Sequence, residues 1–302
     1  MKIDSLSLSD FEFPKTLINI EEIKKYDSED QFMSLAVELF KEVGQITSIL
    51  SCTFRLDDYN NPRKSTRNEA ILGGLMVRLN KLQVGFLDQI CQKRLELANI
   101  LFRCLSENII NLKYLLERVD EDVFEEFIEY SLREEKRLLN KINNNIALRG
   151  SEIPIETRMK RSIEQAFEKS SLSLDKVDED NREPWGETIY KRAKKVNMED
   201  IYFAMFSLQS HAVHGNWQDL ITYHLEYEDD EFIPKTEWGC PRPQPLFAAS
   251  LLSAEINIRY LDEIISECED KERIKILLED IIQRICISDR LHEEFLINVE
   301  NK

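Results

Sequence analysis

The sequence predicts an all-α protein, a helical bundle with an N-terminal helical arm. Only 8 glycines and 8 prolines interrupt 302 residues. That is too few for a many-stranded sandwich, which needs a turn signal every ~8–12 residues. Apolar residues also recur at helical spacing over long stretches, and no stretch reads as a run of strict alternation. A heptad seam through Leu95, Ala98, Phe102, Leu105, Ile109, Leu112 and Leu116 completes the argument. Leu97, Ile100, Leu101, Cys104 and Ile110 widen it, which places this helix at the centre of a bundle.

The chain opens loosely, with Phe11, Phe13, Leu17 and Ile20 available to clip onto a body and Pro14 breaking any early helix. Ser28-Glu29-Asp30 starts the first long helix, its acids favoured by the macrodipole. The turn Asp57–Pro62 separates an arm, 1–62, from a bundle, 63–302. Thr66 with Glu69 three residues on caps a helical pattern that runs to Glu117, weakened early by Gly73-Gly74. A helix over 120–149 follows, and Pro154 opens a shorter one to Ser171. Asp175–Pro184 reads as an acidic surface loop. A helix from Glu187 carries Lys191, Arg192, Lys194 and Lys195, and the next starts near Met198. Four prolines crowd into Pro234–Pro245 after the acidic run Glu226–Glu231, which reads as a long loop. Helices over 246–268 and 271–299 close the chain.

The charge balance narrows the partners. Against 40 Lys+Arg stand 57 Asp+Glu, a net charge of −17. That field repels phosphate backbones, so RNA is disfavoured unless a local basic cleft holds it. The charge-free run Gln244–Ala254 is about half of a ~20-residue membrane span. Met1–Ser5 shows no apolar h-region. The expectation is a cytoplasmic protein without a membrane partner, acting as a homodimer or with a protein partner. The six cysteines form no CxxC pair, and Cys91 and Cys104 read as reduced core thiols.

Two polar stripes carry the candidate chemistry. Glu96, Asn99, Arg103, Glu107 and Asn111 share one face of the central helix, and Arg103 with Glu107 is an i,i+4 pair. They form either a solvated face or the wall of a cleft, since a buried arginine needs a carboxylate. The second stripe runs through Ser207–Trp217 to Gln218, where Ser207, Ser210, His211, His214 and Gln218 share a face by three- and four-residue steps. Met198, Ile201, Met205, Leu208 and Ala212 make the apolar side. His214 suits proton transfer near neutral pH, or it is a core histidine bonded to a carboxylate such as Glu107. The expectation is that the two stripes meet in one buried cluster. His211-x2-His214 lacks the glutamates of a di-iron bundle. No metal and no cofactor is expected, and no phosphate loop, nucleophile elbow or dinucleotide fingerprint appears.

In order, the chain reads Leu101–Glu107, Phe127-Ile128-Glu129-Tyr130-Ser131, Pro184-Trp185-Gly186, Ile201-Tyr202 and Ser210–Gly215, then the proline-rich loop. Over roughly residues 85–265 this resembles a family of uncharacterised bacterial helical proteins with an Arg-x3-Glu helix and a Ser-x2-Val-His-Gly motif. That family is similar in layout to the HEPN proteins, many of which are ribonucleases of toxin–antitoxin and phage-defence systems. The resemblance implies a metal-independent ribonuclease motif with His214 as its histidine and Ser210 at its polar position. Gln209 then occupies the arginine slot, where no charge can steady the phosphorane. Arg103, or a basic residue from 191–195, would have to serve instead. Two readings stay open: an interaction or ligand-sensing protein of such a system, or an endoribonuclease using His214 with Arg103 as phosphate clamp.

Overall fold

The computed structural model describes residues 13–53, 64–118, 122–207, 209–265 and 269–300. Phe11, the turn Asp57–Pro62, Leu208 and the end of the helix expected over 246–268 lie outside them. Among the described residues the protein is helical apart from one two-stranded ribbon. In order these are α1 (Ile20–Ile23), α2 (Glu29–Ser51), α3 (Arg67–Cys91), α4 (Leu95–Leu116), α5 (Val123–Arg149) and α6 (Pro154–Lys169). Then come α7 (Ile189–Lys195), α8 (Glu199–Ile201), α9 (Ser210–His214) and α10 (Trp217–Asp219). The ribbon strands β1 (Leu225–Glu228) and β2 (Glu231–Pro234) precede α11 (Pro243–Ile264) and α12 (Glu269–Glu300).

The chain forms two compact units, Met1–Leu116 with Ala193–Lys302, and Glu117–Arg192. The division expected at 62/63 does not match them. In the first unit α2 packs against α3, α11 and α12, and α11 also packs on α4. Far from being an arm, α2 is a bundle wall, because its stripe through Phe32, Leu39, Phe40 and Ile46 is too apolar to stay outside. Phe40 meets Phe86 edge-on at 5.8 Å, and Phe86 stacks on Phe102 at 5.3 Å, tying α2, α3 and α4 into one core. Buried polar pins fix the register. Asn257 donates to Thr47 at 2.8 Å, and Arg284 reaches both carboxylate oxygens of Glu42 at 3.0 and 2.7 Å. The entry segment attaches through that pair, Thr16 giving its N–H to Glu42 and taking Arg284 on its carbonyl. Leu17, expected as an apolar clip, is exposed.

One long helical pattern from Thr66 proves to be two helices. The Thr66–Glu69 capping box forms as expected, but the chain reverses after Cys91, where Lys93 takes a left-handed φ of 54°. The short connection makes α3 and α4 an αα-hairpin. α3 is long and apolar enough to cross a membrane by length and composition. Its stripe through Leu72, Met76, Leu79, Phe86 and Ile90 is buried, and the helix packs on α2 and α4. Cys91, read as a core thiol, is exposed at the end of α3, and Cys104 is only half-buried.

The acidic run expected as loop is a hairpin. Leu225 pairs with Pro234, Glu226 with Ile233, Tyr227 with Phe232 and Glu228 with Glu231. The turn is Asp229-Asp230, both at positive φ, 50° and 67°. That is the geometry of a type I′ turn, whose twist suits two antiparallel strands. In the second unit α5 packs on α6, and Arg149 at the end of α5 binds Glu156 in the first turn of α6.

Candidate functional site

The site is built where α9 lies on α4. Arg103 projects from the middle of α4, its side chain only 16% exposed. Its Nε donates to Ser210 Oγ at 3.1 Å, and Ser210 Oγ donates in turn to the Phe206 carbonyl at 2.9 Å. Its Nη1 donates to Glu107 Oε2 at 3.3 Å, and its guanidinium lies 4.2 Å from the Phe206 ring centroid. Two hydrogen bonds, the one to Glu107 also an ion pair, and one cation–π contact therefore occupy the charge that a buried arginine must place somewhere. Phe206 itself is buried and stacks on Tyr202 at 5.1 Å.

Arg103, Glu107 and Ser210 thus come together as the two stripes implied. The cluster is not buried throughout, and His214 is not part of it. Glu107 is 39% exposed, and His214 is exposed at the last position of α9. Ser210 begins this five-residue helix and meets α4, whereas His214 directly precedes Gly215 at φ +56°, where the chain turns off in the left-handed region. His214 is therefore no core histidine. Among the described residues no hydrogen bond joins it to Arg103, Glu107 or Ser210.

The rest of the α4 stripe has separate duties. Glu96 is buried and accepts the Gly239 N–H at 2.9 Å, while the Leu95 N–H donates to the Gly239 carbonyl at 3.2 Å. This seats the proline-rich loop on the start of α4. A Cβ at Gly239 would lie 2.9 Å from Leu95 Cδ2 and 3.2 Å from Leu95 Cβ, so a larger residue there would have to push the Leu95 side chain aside. Asn99 is buried, and Asn111 is half-buried.

A network after α9 was not foreseen. Asn216 Nδ2 donates to His211 Nδ1 at 2.6 Å, which leaves the proton of the neutral ring on Nε2. Asn216 Oδ1 accepts the Asp219 N–H at 3.2 Å, capping α10. Asp219 is buried, with Oδ2 3.4 Å from His224 Nε2 and, among the described residues, no hydrogen-bond partner at Oδ1. The spacing Asn216-x2-Asp219 between histidines was the signal for it. π-helical winding brackets this region at Tyr202–Ser207 and Leu220–His224. Such widened turns are rare and concentrate at functional sites.

Exposed apolar side chains gather on the same stretch. Phe203, Val213, Trp217, Ile221, Phe232 and Trp238 are all exposed. Trp217 packs edge-on against Phe232 at 5.3 Å, and Phe232 lies 4.8 Å from Tyr227.

In the second unit the remaining motifs meet each other. Trp185 packs on Phe127 at 5.0 Å, and the Gly186 N–H donates to Glu126 at 2.7 Å. Trp185 and Glu126 line a polar cleft of about 350 Å³ with Glu129, Tyr130 and Arg133. Arg192, a candidate substitute for the missing motif arginine, is buried with its guanidinium 3.8 Å from the Trp185 ring centroid.

No group of three or more potential metal ligands occurs among the described residues. No curated protein and no solved structure matches the chain. One family does, across a span that holds Arg103, Glu107, Ser210, His214 and the hairpin as far as Phe232. The chain belongs to the Family of unknown function (DUF5677), whose family model matches residues 69–232.

Proposed function

We propose that this is an interaction or ligand-sensing protein of a bacterial defence or toxin–antitoxin type system, with the α9-to-hairpin stretch as its contact surface. The observation that carries this reading is the exposed aromatic group Trp217, Tyr227 and Phe232, standing beside a short helix that Arg103 clasps to the bundle. Clustered exposed apolar side chains on an otherwise charged surface mark interaction sites. The clasp also favours binding over catalysis. The Arg103 charge is engaged by Glu107, and Gln209 offers none, so the positive charge that a phosphate clamp needs is not free. The placement in a defence-type system rests on the resemblance to HEPN proteins.

A second reading draws on one observation, the exposure of His214 one helical turn from Ser210. In that reading the protein is a HEPN-like, metal-independent endoribonuclease with His214 as general acid–base and Arg103 on phosphate. The experiment that separates the two has two arms. Purified protein is challenged with total RNA as wild type, His214→Ala and Gln209→Arg. In parallel, wild type and Trp217→Ser/Phe232→Ser are compared for partner retention in cells that carry the gene. The interaction reading expects intact RNA from the wild type and a protein partner lost in the double variant. Cleavage by the wild type that falls about 10²–10⁴-fold in His214→Ala overturns it in favour of the ribonuclease.

A further inference from the structure

The hairpin is two-faced. Cross-strand pairs share a face, so Leu225 and Tyr227 lie with Pro234 and Phe232, while Glu226 and Glu228 lie with Ile233 and Glu231. One face is apolar and aromatic, and Trp217 extends it by packing on Phe232. The other carries three carboxylates around one isoleucine. Among the described residues β2 is paired on one side only, by β1, and all four of its residues are exposed. An open strand edge offers backbone donors and acceptors to a further strand.

Resting on the interaction reading above, we propose that this ribbon takes an extended segment of a protein partner as a third strand, one in which apolar residues alternate with lysine or arginine. The alternation follows from the two faces. A strand added beside β2 sends every second side chain to the Tyr227–Phe232 face and the others to the Glu226–Glu228–Glu231 face. Apolar groups fit the first, and cations fit the second, where opposite charges on neighbouring strands attract. A second copy of this chain is the poorer occupant. Edge-to-edge pairing of two such ribbons in that alternation sets acid beside acid on a shared face, which is destabilising, and both chains carry a net charge of −17. Alternate residues of β2 turn their backbone outward. The Lys235 N–H bonds to the His224 carbonyl, so Ile233 and Glu231 face β1, and the outer edge presents the N–H and carbonyl of Phe232 and the carbonyl of Pro234, which has no N–H.

The test uses the full chain and labelled synthetic peptides followed by fluorescence anisotropy. One peptide alternates lysine and valine, a second has the same composition with the lysines and valines in separate blocks, and a third has glutamate for lysine. Strand addition expects the alternating peptide to bind about tenfold more tightly than the blocked one at equal salt, and the acidic one not at all. Glu226→Gln/Glu228→Gln/Glu231→Gln should weaken the alternating peptide about tenfold. Glu293→Gln/Glu294→Gln, on the exposed side of α12, should leave it unchanged and so controls for general attraction to an acidic protein. Equal binding of alternating and blocked peptides, or indifference to the ribbon variant, overturns the proposal. So does a concentration-dependent dimer that Phe232→Ser dissolves, which would make a second copy the occupant. These results are independent of RNA cleavage. Failure here leaves the interaction reading to be judged by the partner lost in Trp217→Ser/Phe232→Ser.

Discussion

Arg103 and Ser210, 107 residues apart in sequence, are joined by a 3.1 Å hydrogen bond from the guanidinium Nε to the hydroxyl. It ties the histidine-bearing helix to the bundle. Ser210 relays that bond into its own chain by donating to the Phe206 carbonyl. One side chain of α4 therefore holds both the start of α9 and the winding that precedes it.

Removing that side chain should loosen the segment without unfolding the protein. Arg103→Ala is expected to cost about 1.5–3 kcal/mol, the scale of a part-buried hydrogen bond to a charged group. Hydrogen exchange should accelerate across 202–216 while α2 and α11 stay protected. Glu107→Gln should cost less than about 1 kcal/mol, because its carboxylate is 39% exposed and water screens the pair.

The ion pair that matters for global stability lies elsewhere. Glu42 and Arg284 are both buried and doubly bonded, and Asp280 accepts a third bond from Arg284 at 2.9 Å. Burial works against the Arg284 charge, but Glu42 and Asp280 outweigh it and leave the pKa raised. Glu42→Ala should destabilise by about 3–5 kcal/mol in urea unfolding, because it takes the carboxylate from both Nη atoms of a buried guanidinium and leaves Asp280, on Nε, as the remaining carboxylate. Glu42→Met with Arg284→Met should recover most of that loss.

His292 sets a pH dependence. It is fully buried in α12 beside Phe32, Phe247 and Phe295. Burial lowers its pKa below the ordinary 6.5, against the opposing pull of Glu29, Glu293 and Asp289. The unfolded chain then binds more protons just below pH 6.5, so stability falls as pH falls through that window. Urea midpoints should drop between about pH 7 and about pH 5.5, and His292→Gln should flatten the slope. Asp289, raised from 3.8 by burial and by Glu293, acts with the opposite sign at more acid pH.

Gly239→Ala tests the loop seat. The added methyl would meet Leu95 Cδ2 at 2.9 Å and Leu95 Cβ and Glu96 Oε1 at 3.2 Å. Overpacking of this kind costs about 1–3 kcal/mol. A fall of several degrees in Tm, with faster exchange at the Leu95 amide, is the expected result.

The helical fold was legible because apolar spacing speaks directly about burial: Phe102, Leu105, Ile109 and Leu112 were read as core and are core. The break between α3 and α4 was not, since Gln92-Lys93-Arg94 contains no glycine, proline or asparagine and Lys93 turns left-handed under tertiary constraint. The hairpin was hidden likewise, its Asp229-Asp230 turn lacking the glycine that usually marks type I′. Of the site, Arg103, Glu107 and Ser210 could be brought together from helical spacing and the need of a buried cation for partners. The position of His214 could not, because it depends on where a five-residue helix ends. Asp219 is not legible because His224 stands five residues on, a spacing that π-helical winding rather than an α-helix brings together.

A helix of five residues is far below the length at which helical turns sustain themselves in water. The winding of α9 therefore leans on its packing against α4, to which the bond from Arg103 to Ser210 contributes. By thermodynamic reciprocity, a ligand that prefers the wound arrangement of His211 and Trp217 must strengthen the grip of Arg103 by the same factor. One that draws Arg103 or Glu107 away must weaken the presentation of that face equally. The bond between α4 and α9 is in this sense a linkage between the interior of the bundle and whatever its surface meets.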